Sequence, residues 1–247
     1  MKILLINPNI TESITEVMAG EAERSASPGT EIIPVTANFG TLYVENRVEA
    51  AIASHAVLEA LAERGADCDA AIVSAFGDPG LGAARELMDI PILGISEAAF
   101  LTAHTQGRRY SIVCLTRRLR TWYMECAAEH GLDGRMASAR ALTVPVADIS
   151  RAREDLVEHL VTECNLAVDE DDAEVVILGG GPIAGLARQI ASRVPVPLVD
   201  GVSAAVRLAE ALVRLDLRPP ERGSFARPDP KPARNLSPAL SSMIERD

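Results

Sequence analysis

The chain has 247 residues, enough to bury the core of one large domain or two lobes, and its 48% hydrophobic and 24% charged content is that of a globular protein. A formal net charge of −11 opposes broad contact with nucleic acid or anionic membrane, both of which need clustered lysine and arginine, and leaves a small molecule as the expected partner. The apolar runs are too short to span a bilayer, and Lys2 leads directly into a strand-like ILLI rather than into a signal peptide, so the expected location is cytoplasmic.

In chain order, short β-rich runs alternate with longer helix-like stretches. Residues 2–7, 31–36, 70–75, 90–95, 110–115, 139–146, 174–179 and 196–200 read as strands. The intervening 12–25, 44–65, 80–88, 96–106, 117–130, 151–169, 183–193 and 202–214 read as helices. Nearly continuous apolar strands covered by helices predict an α/β fold with parallel sheets. From residue 216 the chain becomes rich in proline and arginine and lacks the apolar surface to fold by itself. The segment 216–247 is therefore expected to be a flexible tail or an arm laid over another subunit of a homo-oligomer.

An internal repeat organises the rest. AAIVSAFGDPGLGAAR (70–85) overlays VVILGGGPIAGLARQ (175–189), placing Ala75 on Gly180 and Gly80 on Gly185; KILLINPN (2–9) overlays RYSIVCLT (109–116), placing Asn7 on Cys114 and Asn9 on Thr116. The chain thus reads as two pseudo-symmetric lobes, 1–97 plus about 206–215 and 98–205, with an active-site cleft between them where the carboxyl ends of the parallel strands meet. Asn7, Ser74, Ala75, Cys114, Thr116, Gly179 and Gly180 are the expected cleft floor.

The loops at those strand ends suggest what the cleft can hold. In AFGDPG (75–80), Asp78 before Pro79 reads as a helix N-cap. In GGGP (179–182), glycines permit positive φ and close approach of a ligand, and amides there suit an anionic or carbonyl oxygen. No GxGxxG fingerprint or P-loop lysine is present, so no nucleotide cofactor is expected. The cysteines, Cys68, Cys114, Cys126 and Cys164, have neither CxxC nor zinc-like spacing and read as reduced thiols, with no metal implied.

INPNIT (6–11), AFGDPGL (75–81), GISEAA (94–99), LGGGPIAGLA (178–187) and VDGVSAAV (199–206) together resemble the hydantoin racemase branch of the Asp/Glu racemase superfamily. The resemblance covers roughly residues 1–214. It implies a two-lobed fold and an enzyme acting at or beside the carbon α to a carbonyl in a small cyclic amide, ureide or carboxylate. Two opposed cysteines serve that family as acid and base, and the resemblance places them at positions held here by Ala75 and Gly180. A methyl group or a hydrogen carries no proton, so other groups must do the chemistry. Cys114 and Glu45 are the candidates for it, with Asn7, Tyr43, Ser74, Ala75, Phe76, Thr116, Gly180 and Gly181 as candidate substrate contacts. Asp200 reads equally as a cap or an acid–base group; Trp122, Tyr123 and the four histidines read as packing or surface residues. Ring-opening hydrolysis or decarboxylation on the same oxyanion cradle, or simple binding of a small anion, are the alternatives.

Overall fold

The computed structural model describes residues 1–142, 153–217 and 219–245. It contains two four-stranded parallel sheets. The first has the order β2-β1-β3-β4, built from β1 (Lys2–Asn7), β2 (Glu31–Thr36), β3 (Ala70–Val73) and β4 (Ile92–Gly94). The second repeats that order as β6-β5-β7-β8, from β5 (Tyr110–Cys114), β6 (Met136–Ala141), β7 (Val175–Gly179) and β8 (Leu198–Asp200). In each sheet the first strand in sequence lies in the interior, between the second and third, so the repeat seen in the sequence is a repeat of topology.

Helices cover the sheets: α1 (Glu12–Ser25), α2 (Arg47–Arg64), α3 (Leu81–Leu87), α4 (Ile95–Gln106), α5 (Arg117–Glu129), α6 (Arg153–Asp169), α7 (Leu186–Ile190) and α8 (Gly201–Leu215). The central strands β1, β3, β5 and β7 are buried along almost their whole length, as apolar runs covered on both faces require. Observed strands and helices fall within a few residues of those read from the sequence. The expected strand at 139–146 and helix at 151–169 run partly outside the described residues.

Glu21 of α1 ties the two halves together. Its buried carboxylate accepts from Arg188 of α7 at 2.6 Å and from Ser203 of α8 at 2.6 Å. Burial alone would raise its pKa, but these bonds and one from Arg24 lower it, so the carboxylate stays charged.

The tail departs from expectation. Part of it is docked: α9 (Pro238–Glu245) packs on α2 of its own chain, with Leu240 only 2% exposed beside Val57 and Leu61. Arg227 donates to the Leu87 carbonyl at 2.6 Å, and Phe225 lies under the Arg85 guanidinium. The composition of the segment hid a short amphipathic stretch, PALSSMIE, that buries one leucine.

Candidate active site

A cleft opens at the carboxyl ends of β3 and β7, where the repeat had placed it. Seven of the residues expected from sequence line it: Tyr43 and Glu45 from the β2–α2 connection, Ser74, Ala75 and Phe76 after β3, and Gly180 and Gly181 after β7. Asn9, Ile14, Val44, Leu115, Leu119, Tyr123 and Pro182 complete the lining. No lysine, arginine or histidine is among these residues.

The loop after β3 is held from behind. Asp78 adopts φ +46° and turns its carboxylate onto the start of α4, accepting from Ser96 N at 2.9 Å and Glu97 N at 2.8 Å. It therefore caps α4 and not the helix that follows it, which begins only at Leu81. The His130 ring lies 3.1 Å from the same carboxylate, and Gly77 N donates to Ser96 Oγ at 2.7 Å. A side chain at Gly77, whose φ is +109°, would strike the Trp122 ring within 2.5 Å, so glycine there lets the loop lie flat on the indole. Asp200 does the corresponding work in the other half, accepting from Ser203 N at 3.0 Å and Gly185 N at 2.7 Å, and is a cap.

After β7, Gly180 takes φ +135°, a conformation that a residue with a Cβ rarely adopts. Space is not what forbids a side chain, since a Cβ there would meet nothing closer than 3.7 Å. One neighbour of that empty position is the Tyr123 hydroxyl, 3.8 Å away. The Tyr123 ring is clamped by Phe76, with centroids 4.4 Å apart, and by the approach of Gly179, and the residue is 3% exposed. Its hydroxyl donates to no described residue, and neither do the amides of Phe76, Gly180 and Gly181. Burial pushes the phenol well above its ordinary pKa, assisted by nearby Cys114, Cys126, Glu45 and Asp78, so the group remains an O–H donor.

On the other side, Glu45 is carried by a strap from the first half across to the second. Its amide donates to Glu49 Oε2 at 2.7 Å, its Oε1 accepts from Thr116 Oγ1 at 3.3 Å, and Asn46 caps α2 directly after it. Arg47 pairs with Glu125 of α5 and is thereby spent on another carboxylate.

Three residues expected in the cleft do different work. Cys114 is fully buried at the end of β5, its thiol directed at the carbonyls of Thr116 (3.4 Å) and Arg140 (3.3 Å). Burial pushes that thiol up to about 12, so it is a poor acid–base group as well as an unreachable one. Asn7 is likewise buried; its side-chain amide is bonded to Asn9, Thr11 and Thr15 and braces the β1–α1 turn, so that Asn9, two residues on, faces the cleft. Thr116 caps α5 and holds Glu45 rather than lining the cavity. Ser74 lines the cleft, but its hydroxyl points behind it to Met18 Sδ at 3.0 Å.

Tyr123, read from the sequence as a packing residue, packs against Phe76 and also lines the cleft. Its signal was the spacing from Leu119, four residues on the same helical face as the Thr116 cap, which directs both toward the end of β5.

Two parallel α/β halves with one cleft at their paired strand ends define a two-lobed ligand-binding class in which the chemistry rests on loop residues. The Asp/Glu/Hydantoin racemase family model matches residues 3–209, and the chain belongs to that family. It is 34% identical to the hydantoin racemase of Paenarthrobacter aurescens, over 94% of this chain and 99% of that one. Among solved structures it is similar to the allantoin racemase of Pseudomonas fluorescens (40% identity, TM-score 0.89, 94% and 98% of the two chains). The allantoin racemase of Klebsiella pneumoniae gives 35% identity and a TM-score of 0.92, over 97% and 98%.

Proposed function

We propose that this protein is a racemase-type isomerase acting at the carbon next to a carbonyl in a small cyclic amide or ureide, of the hydantoin or allantoin kind, and that it works without a pair of thiols. The observation that carries the reading is a polarised cleft: donors at Tyr123, Gly180 and Gly181 that give to no described residue, and a carboxylate on the opposing strap, at Glu45. The ring carbonyl oxygen sits against the donors. As the carbon–hydrogen bond breaks, its electron pair moves onto that oxygen, where preorganised donors stabilise the growing charge. Glu45 accepts the proton. Return of a proton from Glu45 restores the starting hand; delivery from a water at the cleft mouth to the other face gives the mirror image, and Glu45 then releases its proton through solvent to the hydroxide left behind.

The relatives at 34–40% identity are racemases by name, which favours racemisation over ring-opening hydrolysis or decarboxylation. The test is mass spectrometry and polarimetry of single-enantiomer 5-substituted hydantoins and allantoin incubated with the protein in D₂O. Incorporation of one deuterium with loss of optical rotation is expected. Addition of water, loss of CO₂, or no exchange with any member of the panel would overturn the reading.

A further inference from the structure

The Glu45 carboxylate has a second property that proton transfer does not require. It faces the cleft with one hydrogen bond, from Thr116, and no ion pair among the described residues. The nearest cation in sequence, Arg47, is paired with Glu125. Among the described residues, no cationic side chain lines the cleft to offset the charge. Its position is also fixed, since the flanking amide bond to Glu49 and the Asn46 cap hold the strap at its root in α2. An uncompensated carboxylate in a narrow, mainly apolar cleft attracts N–H donors and repels a second negative charge.

We propose that Glu45 sets the charge of the substrate, admitting an uncharged ring that presents an N–H to it and excluding carboxylates of the same size and shape. The inference rests on the proposed cleft chemistry only for the choice of ring. Two like charges about 5 Å apart in a partly solvated site repel by enough to weaken binding on the order of a hundredfold. The cleft would thus discriminate between a hydantoin and the N-carbamoyl amino acid made from it by ring opening, which differ by one water and one carboxylate charge.

The experiment is calorimetric binding of 5-isopropylhydantoin and N-carbamoylvaline to the intact protein and to Glu45→Gln. For the unaltered protein, the ring is expected to bind on the order of a hundredfold more tightly than the acid. In Glu45→Gln the gap should shrink at least about tenfold, chiefly through tighter binding of the acid. An unchanged gap, equal binding of ring and acid by the unaltered protein, or no binding of the ring overturns the inference. Should Glu45→Gln not fold, the salt dependence of the unaltered protein decides. The gap must narrow as ionic strength rises, and a gap indifferent to salt overturns the assignment. Binding needs no turnover, so a protein that sorts ring from acid through Glu45 but exchanges no deuterium loses the proposed reaction and keeps this inference; the converse result removes this inference alone.

Discussion

Tyr123→Phe separates the two roles a buried aromatic can play. The ring packs against Phe76 and Gly179 and would be retained, while the hydroxyl donates to no described residue, so its removal breaks no described hydrogen bond. Stability should therefore change by no more than about 0.5 kcal/mol, within roughly 2 °C in melting temperature for a chain of this size. If the hydroxyl faces the reacting carbonyl oxygen, the same deletion removes one preorganised donor from the transition state. Losses of that kind cost on the order of 10²–10³ in kcat, about 3–4 kcal/mol. KM should change by less than about threefold, because the bond strengthens only as charge develops. Deuterium exchange at saturating hydantoin gives kcat, and calorimetric melting gives stability. A variant that melts several degrees lower yet exchanges at the normal rate would show that Tyr123 is packing only.

Other perturbations test the supports of the site. In Gly179→Ala the new Cβ would come within 3.0 Å of Tyr123 Cε2 and 3.1 Å of Ile112 Cγ2, so overpacking of about 1–3 kcal/mol and a slower reaction are expected, checked by urea unfolding and exchange rate. At His130, burial opposes the charge, but the bond to Asp78 and the charges of Asp78 and Glu97 outweigh it and raise the folded pKa above its ordinary value. The stabilisation it brings is complete below the unfolded pKa of about 6.5 and is lost as pH rises through the folded value. The stability difference between the protein and His130→Gln, followed by urea unfolding against pH, should thus diminish on the alkaline side; a difference that grows with pH contradicts the pairing. Leu240→Ala removes the one fully covered leucine of α9. A buried leucine costs about 2–5 kcal/mol, but α9 can undock before the sheets unfold, so limited proteolysis should cut the tail much faster while the main melting transition moves little.

Much of this architecture is legible in the residues because local signals and global fold agree. The central strands β1, β3, β5 and β7 are apolar runs bounded by glycine, proline or polar turns, and burial on both faces leaves them no other use. The repeat of AFGDPGLG in GGPIAGLA located the cleft, since equivalent strand ends in equivalent sheets must face one another across the interface. What stayed hidden depended on side-chain direction. Cys114 and Asn7 stand at the right strand ends but are buried away from the cleft, which Leu115, one residue on, and Asn9, two residues on in the β1–α1 turn, line instead. Asp78 looked like a cap for the next helix, and only its positive φ turns it to α4.

Fold symmetry does not carry over into chemical symmetry. The two sheets match strand for strand, and Asp78 and Asp200 cap matched helices, yet Ala75 and Gly180 carry no proton-transfer group. The two polar groups of the proposed chemistry come instead from places the repeat does not pair: a phenol from α5 and a carboxylate from the strap before α2. Such groups are free to differ in kind because no twin constrains them, and a donor facing a carboxylate orients a ring with one carbonyl and one N–H in a single way. An active site of this kind acquires its direction from loops and helix faces while the sheets keep its walls in place, which is why substitutions at Tyr123 and Glu45 should alter rate and selectivity with little effect on the fold.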